Sequence, residues 1–261
     1  MIWTRRPHAM LSVMRLRSPH GSKSPASKPP VVEEYARLAS TYDAKWSFYI
    51  ETTTRETLAR LRLKPSDRLL DVGCGTGALL SRLSSSHPAA QLFGVDPVPE
   101  MLAVARRGAP PAVRLAAGWA ERLPFESGRF DVVVSCNVFH YIQEPTAALI
   151  EMNRVLRPGG QLVITDWCDD YLICRLCDLY YRWFSPSHVK IYRKRECLRL
   201  LREAGHDDAD VERYKISWLW GLMTARVTKV QTGTPAISPA ALARPLVHTP
   251  LGTSSLKGGR G

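Results

Sequence analysis

Three absences narrow what this chain can be. No uninterrupted run of about 18 apolar residues exists, so no membrane span is expected. No acidic residue precedes Glu33 or follows Glu212. The six cysteines (Cys74, Cys136, Cys168, Cys174, Cys177 and Cys197) sit in or beside apolar segments, without the spacing of a small disulfide framework. That usage predicts a reducing, intracellular setting.

The missing acids account for most of the net charge of +12. Six basic residues fall in the first 32 positions and three more follow Val230. Between them stand 27 basic against 24 acidic residues, a net of only +3. A basic groove is therefore not indicated, and no nucleic-acid partner is expected. With 261 residues and 45% hydrophobic content, the chain can bury one α/β core and still leave tails.

The tails differ in character from the body. Residues 1–32 are rich in Arg, Ser and Pro, a composition that fits a mitochondrial or plastid transit peptide, a disordered extension, or a misplaced start with Met10 or Met14 as the candidates. Residues 231–261 mix Gly, Pro, Thr, Ser and Ala with few large apolar side chains and read as a disordered tail. The domain is thus expected over residues 33–230.

Within it, strand-like apolar blocks alternate with helical patterns. One helix is predicted over 35–62, with Leu58 and Leu61 facing inward, then strands at 68–72, 91–96, 113–117, 130–135 and 161–165 with helices between them. Arg157-Pro158-Gly159-Gly160 should end the helix before the fifth strand. A helix over 195–204 closing on Gly205 and two further strands at 211–218 and 222–230 complete the pattern. This rhythm predicts a doubly wound, Rossmann-like α/β fold: a seven-stranded, mostly parallel sheet with helices on both faces.

The first strand runs into Asp71-Val72-Gly73-Cys74-Gly75-Thr76-Gly77-Ala78. Alternate glycines let the backbone turn tightly and a ligand approach where a Cβ would stand. The pattern alone satisfies a dinucleotide fingerprint, with Asp96 at the distance of a ribose-binding acid. Asp71 argues against that reading, because a carboxylate two residues before the first glycine repels a pyrophosphate. It suits an ammonium or sulfonium group.

The same stretch resembles the first motif of class I S-adenosylmethionine-dependent methyltransferases. Gly94-Val95-Asp96 with Met101-Leu102, Leu123-Pro124-Phe125, Phe130-Asp131-Val132-Val133 and Leu156-Arg157-Pro158-Gly159-Gly160 follow in that family's order. The likeness covers roughly residues 35–230 and is strongest to the branch that includes ubiquinone/menaquinone-type C-methyltransferases. It implies S-adenosylmethionine as cofactor, with Gly73, Gly75 and Gly77 beneath its methionine part and Asp71 near its amino group. It also implies Asp96 on the ribose hydroxyls, Ala120 at the adenine and Asn137 near the sulfonium. At Trp119 the family usually has an acid that accepts a bond from the adenine amino group. Trp can stack on adenine or pack at a rim, but it cannot accept that bond.

Methyl transfer needs alignment and desolvation more than a dedicated base. If the acceptor is a hydroxyl or an activated carbon, a base helps. His140, past the carboxyl end of the fourth strand, is the first candidate, with Tyr42 and Asp166 beside it. Each has a plainer account: His140 as a cap, Tyr42 as a cover for the cofactor, Asp166 as the end of a strand.

Residues 167–192 are crowded with aromatics, and Leu172, Leu176, Leu179 and Trp183 are spaced as one helix face. This segment would either cover a small apolar or aromatic acceptor or pack the sheet edge. Cys168, Cys174 and Cys177 lack a further ligand at metal spacing and read as buried small hydrophobes, so no metal is expected. The basic run Lys190 to Arg195 would guide an anionic acceptor, touch a membrane headgroup or simply be a solvated helix entry. Two other functions stay open at this point: a non-catalytic cofactor-binding scaffold, for which Trp119 is the hint, and an NAD(P)-dependent oxidoreductase. The oligomeric state is not legible.

Overall fold

The chain's structure, a computed structural model, describes residues 28–185, 187–217 and 220–230. The expectations for residues 1–27 and 231–261 lie outside the described residues.

Seven strands form one sheet: β1 (Arg68–Val72), β2 (Gln91–Asp96), β3 (Arg114–Ala117), β4 (Phe130–Cys136), β5 (Leu156–Trp167), β6 (Asp210–Lys215) and β7 (Gly221–Thr228). Their order is β3-β2-β1-β4-β5-β7-β6. The first five run parallel, and β7 lies antiparallel to both β5 and β6. The strand-by-strand burial follows from the two-residue period of a strand. Leu69, Val132 and Val134 enter one apolar cluster with Leu79, Leu80 and Leu83 of α3 (Ala78–Ser86). Leu70, Val72 and Val133 enter the other, with Leu149 and Met152 of α5 (Pro145–Val155) and Leu200 and Leu201 of α7 (Lys194–Glu203). Both faces are covered, as the alternating pattern demanded. The order reverses between β1 and β4, which places a crevice at their carboxyl ends.

Beyond shifts of one to three residues at the other strand ends, three boundaries differ from the sequence reading. The single helix expected over 35–62 is two, α1 (Pro30–Leu38) and α2 (Tyr42–Leu58), and α2 kinks at Trp46. The break is local: the Thr41 hydroxyl and N–H both turn back to the Leu38 carbonyl, at 3.3 and 3.0 Å. α1 also starts at Pro30, inside the segment assigned to the extension, where proline costs nothing because its missing N–H has no helical partner. Finally, β5 begins at Leu156 rather than 161. The Gly159 N–H donates to the Lys229 carbonyl (2.8 Å) and the Lys229 N–H to the Gly160 carbonyl (2.9 Å), drawing the turn into the sheet. α7 closes as expected on Gly205, with Gly205 N–H to the Arg202 carbonyl and His206 N–H to the Leu201 carbonyl, both 2.9 Å.

α4 (Pro99–Gly108) follows β2, and α6 (Leu172–Phe184) follows β5. Among the described residues no helix is long and apolar enough to cross a membrane.

Candidate functional site

Two adjoining cavities lie at the carboxyl ends of the strands. The first, about 190 Å³, is lined by Asp71, Gly73, Gly75, Asp96, Ala120 and Asn137, among others. Six of the residues singled out in the sequence are therefore brought together. Gly77 is not among the lining residues. It stands at the N-terminus of α3, in a left-handed conformation, with Ala105 behind it.

Gly73 and Gly75 are both glycine for backbone reasons, but their surroundings differ. A Cβ on Gly73 would meet Val138 Cγ2 at 2.4 Å, at φ +77°. A Cβ on Gly75 would meet nothing within 4 Å, at φ +52°, and would project into open space. Gly73→Ala is accordingly expected to destabilise the fold by about 1–3 kcal/mol through overpacking and a strained φ. Gly75→Ala should leave the denaturation midpoint nearer to wild type and act mainly on ligand binding. Chemical denaturation and cofactor titration of the two variants separate the effects.

Asp71 is buried at the end of β1, and burial, then the neighbouring Asp96 charge, pushes its carboxyl up to about 8. Asp96 ends β2. Burial raises it to about 6, although its two oxygens accept N–H bonds from Val98 and Gly75, each at 2.9 Å. Those bonds fix the glycine loop against the second strand. The Thr76 hydroxyl adds a further tie, to Asp43 of α2 at 2.7 Å. Glu121 also lines the cleft, yet among the described residues no Lys, Arg or His does. The cleft is thus acidic and suits a cationic ligand. Trp119, 41% exposed, stands at its rim rather than in the core.

The second cavity, about 380 Å³, shares Tyr35, Tyr42, Asn137 and Tyr141 with the first. Its remaining lining is largely aromatic: Trp46, Tyr49, Trp167, Tyr180, Tyr181 and Phe184, with His140 and His188. Asn137 stands at the junction, at φ +61°, a conformation rare outside glycine but tolerated by Asn. Its side chain accepts from the Tyr49 hydroxyl (2.7 Å) and donates to the Thr53 hydroxyl (2.8 Å). The Trp167 indole N–H in turn donates to the Tyr49 oxygen.

Sequence reasoning named His140 and Asp166 separately. The structure pairs them: His140 Nδ1 lies 2.6 Å from Asp166 Oδ1, and the His140 backbone N–H donates to Oδ2 at 3.0 Å. Asp166 itself lies behind the cavity, not on its wall. The pairing leaves Nε2 without a bond among the described residues. Tyr42 lines both cavities, and burial holds its phenol well above the ordinary value.

Sequence reasoning missed several groups. His188 Nε2 lies 2.9 Å from Asp178 Oδ1, a second carboxylate-anchored imidazole 5.8 Å from the His140 ring between centroids. Burial opposes ionisation of Asp178, but bonds from His188, the Ile191 N–H and Arg182 hold it below the usual carboxylate range. The His140 carbonyl accepts the Val189 and Lys190 N–H groups at 3.1 and 3.2 Å, which brings His188 alongside. The only sequence signal for this was a histidine within the aromatic segment. Cys168 and Cys174 are buried, burial raises all three local thiols, and no metal-holding cluster occurs among the described residues. Of the basic run, Lys190 and Arg193 are engaged by Glu196 (2.6 Å) and Asp169 (2.7 Å).

The chain is similar to several known proteins. Residues 70–164 match the family model described as a methyltransferase domain. The chain is 35% identical over 158 residues to a demethylmenaquinone methyltransferase of Deinococcus radiodurans, covering 58% of this chain and 65% of that one. It is 31% identical over 174 residues to an uncharacterized methyltransferase of Schizosaccharomyces pombe, covering 63% and 59%. Matches of this kind span about half the length of the curated relatives. Among solved structures, a Haloferax volcanii methyltransferase in complex with the Trm112 activator superposes with a TM-score of 0.66 at 22% identity. That match covers 75% of this chain and 98% of the solved one, a likeness of fold.

Proposed function

We propose that this chain, whose residues 70–164 match the model of a methyltransferase domain, transfers a methyl group from S-adenosylmethionine to a small apolar or aromatic acceptor. The observation that carries this reading is the acidic lining of the first cleft: among the described residues Asp71, Asp96 and Glu121 line it and no basic side chain does. A dinucleotide would bring a pyrophosphate to this wall and find no cation. A ligand bearing an ammonium and a sulfonium finds carboxylates instead. The open space beside Gly75 fits the same ligand, since a Cβ there would fill it.

On this reading Gly73 and Gly75 pass beneath the methionine part, Asp71 holds its ammonium and Asp96 the ribose hydroxyls. Ala120 and Trp119 bound the adenine end. Gly77 supports the loop from behind. Bound there, the cofactor supplies an activated methyl group. The chain's own residues do the rest. Asn137, fixed by Tyr49 and Thr53, stands where the two cavities meet. The aromatic walls of the second cavity hold the acceptor flat and exclude water. His140 Nε2 takes up the proton that an acceptor hydroxyl or activated carbon gives up, and Asp166 holds the ring in the Nδ1–H form.

Calorimetric titration with S-adenosylmethionine and its demethylated product tests the first half, and failure of both to bind overturns the proposal. A labelled methyl donor incubated with fractionated extracts tests the second. Tight binding with no methylated product would favour a scaffold.

The raised value of Asp71 gives the titration a pH dependence. A carboxyl raised in the fold above its unfolded value stabilises the cofactor-free protein at low pH, and that stability is lost as pH rises toward about 8. An ammonium requires the ionised carboxylate. Cofactor binding at pH near 7 is therefore expected to release about one proton and to tighten up to about tenfold per pH unit until about pH 8. Calorimetry in buffers of different ionisation enthalpy reads the release, and Asp71→Asn should abolish it.

A further inference from the structure

We infer that the outer face of α6 rests on a lipid bilayer, beside the mouth of the aromatic cavity. The sequence placed Leu172, Leu176, Leu179 and Trp183 on one helix face, to cover an acceptor or pack the sheet. They do neither: they are 70, 55, 58 and 79% exposed. Spaced four, three and four apart, they form one stripe along the helix. The opposite face, with Cys174 and Asp178, is the buried one. A contiguous apolar stripe of this size facing solvent marks an interaction surface.

Its borders identify the occupant. On one flank stand Tyr180 and Phe184, which line the second cavity. On the other, by helical geometry, stand Arg175 and Arg182. Asp178, the one acid of α6, is turned inward, where it pairs with Arg182 at 2.7 Å and with His188. Arg175 has no ion pair among the described residues. Leu and Trp along a stripe with arginines at its edge form the pattern of a helix lying in a bilayer interface, where the apolar side chains enter the acyl boundary and the guanidinium groups meet anionic headgroups. A second copy of the chain fits less well: paired about a two-fold axis, the stripe exposes no acid to answer Arg175. The bilayer also explains why the stripe continues into the cavity wall. An acceptor dissolved in lipid reaches the cavity past Tyr180 and Phe184 without crossing water.

The experiment is co-sedimentation of the full chain with vesicles of phosphatidylcholine alone and of equal parts phosphatidylcholine and phosphatidylglycerol. Binding to both is expected, tighter to the anionic set. Leu179→Gln with Trp183→Gln should lower the partition coefficient on both by about tenfold or more. Arg175→Gln should lower it about fivefold on anionic vesicles only. Trp183→Gln alone, at the most exposed of these positions, serves if the double variant fails to fold. Equal binding by wild type and stripe variants, binding to neither vesicle, or a stripe-dependent dimer without vesicle binding would each overturn the inference. The basic N-terminal residues can attract anionic vesicles, but that attraction does not depend on Leu179 or Trp183. Cofactor titration in lipid-free buffer should be unchanged by these variants. Failure of the bilayer inference is thereby distinguished from failure of the methyltransferase reading.

Discussion

Asp96→Ala is expected to weaken binding of S-adenosylmethionine by about a hundredfold or more. Two hydrogen bonds from ribose hydroxyls to one carboxylate are worth about 1.5–3 kcal/mol each, because the acceptor is charged and the site is largely shielded from water. The loss has a second source. Asp96 also receives the Gly75 and Val98 N–H groups, so its removal frees the glycine loop as well as the ribose. Asp96→Asn separates the two. It keeps the size and one acceptor oxygen, so part of the loop anchorage survives while one ribose bond is lost. Its affinity should fall between wild type and Asp96→Ala, with a smaller change in melting temperature. If Asp96→Ala binds the cofactor as wild type does, the assignment of this cleft fails.

His140→Gln should lower kcat by about a hundred- to ten-thousandfold with an acceptor hydroxyl, the range for loss of a general base, while cofactor affinity holds. His140 lines the second cavity only, and the acidic cleft is untouched. Asp166→Asn tests the pairing. Asp166 meets no acceptor; it accepts the His140 ring N–H and two backbone N–H groups, from His140 and Trp167. The amide cannot hold the ring in the same tautomer equally well. A positioning role predicts a fall in kcat with little change in KM and a displaced pH–rate profile. A merely structural role predicts lower stability and an unmoved profile. A wild-type profile in both variants would remove the base from the mechanism and leave alignment alone.

The lining of the first cleft was legible because its signals are local. Asp71, Gly73 and Gly75 are fixed by one strand-to-helix turn, and Asp96 stands on the adjacent strand at the matching end. The wall of the second cavity was not legible. His140 and Asp166 meet because β4 pairs with β5 in a register that sets Ser135 against Ile164 and Cys136 against Thr165, which no spacing along the chain announces. The bonds of Asn137 to Tyr49 and Thr53 join residues 88 and 84 positions apart. In α6, periodicity located an apolar stripe correctly but could not say which way it faced. Helical spacing defines a face, whereas burial depends on what lies beneath it, and beneath α6 the buried face carries Cys174 and Asp178.

The wall common to both cavities has a thermodynamic consequence. Tyr35, Tyr42, Asn137 and Tyr141 would touch both ligands, so either ligand that restrains these side chains spares the other that conformational entropy. The resulting cooperativity must be reciprocal: the factor by which the cofactor tightens the acceptor equals the factor by which the acceptor tightens the cofactor.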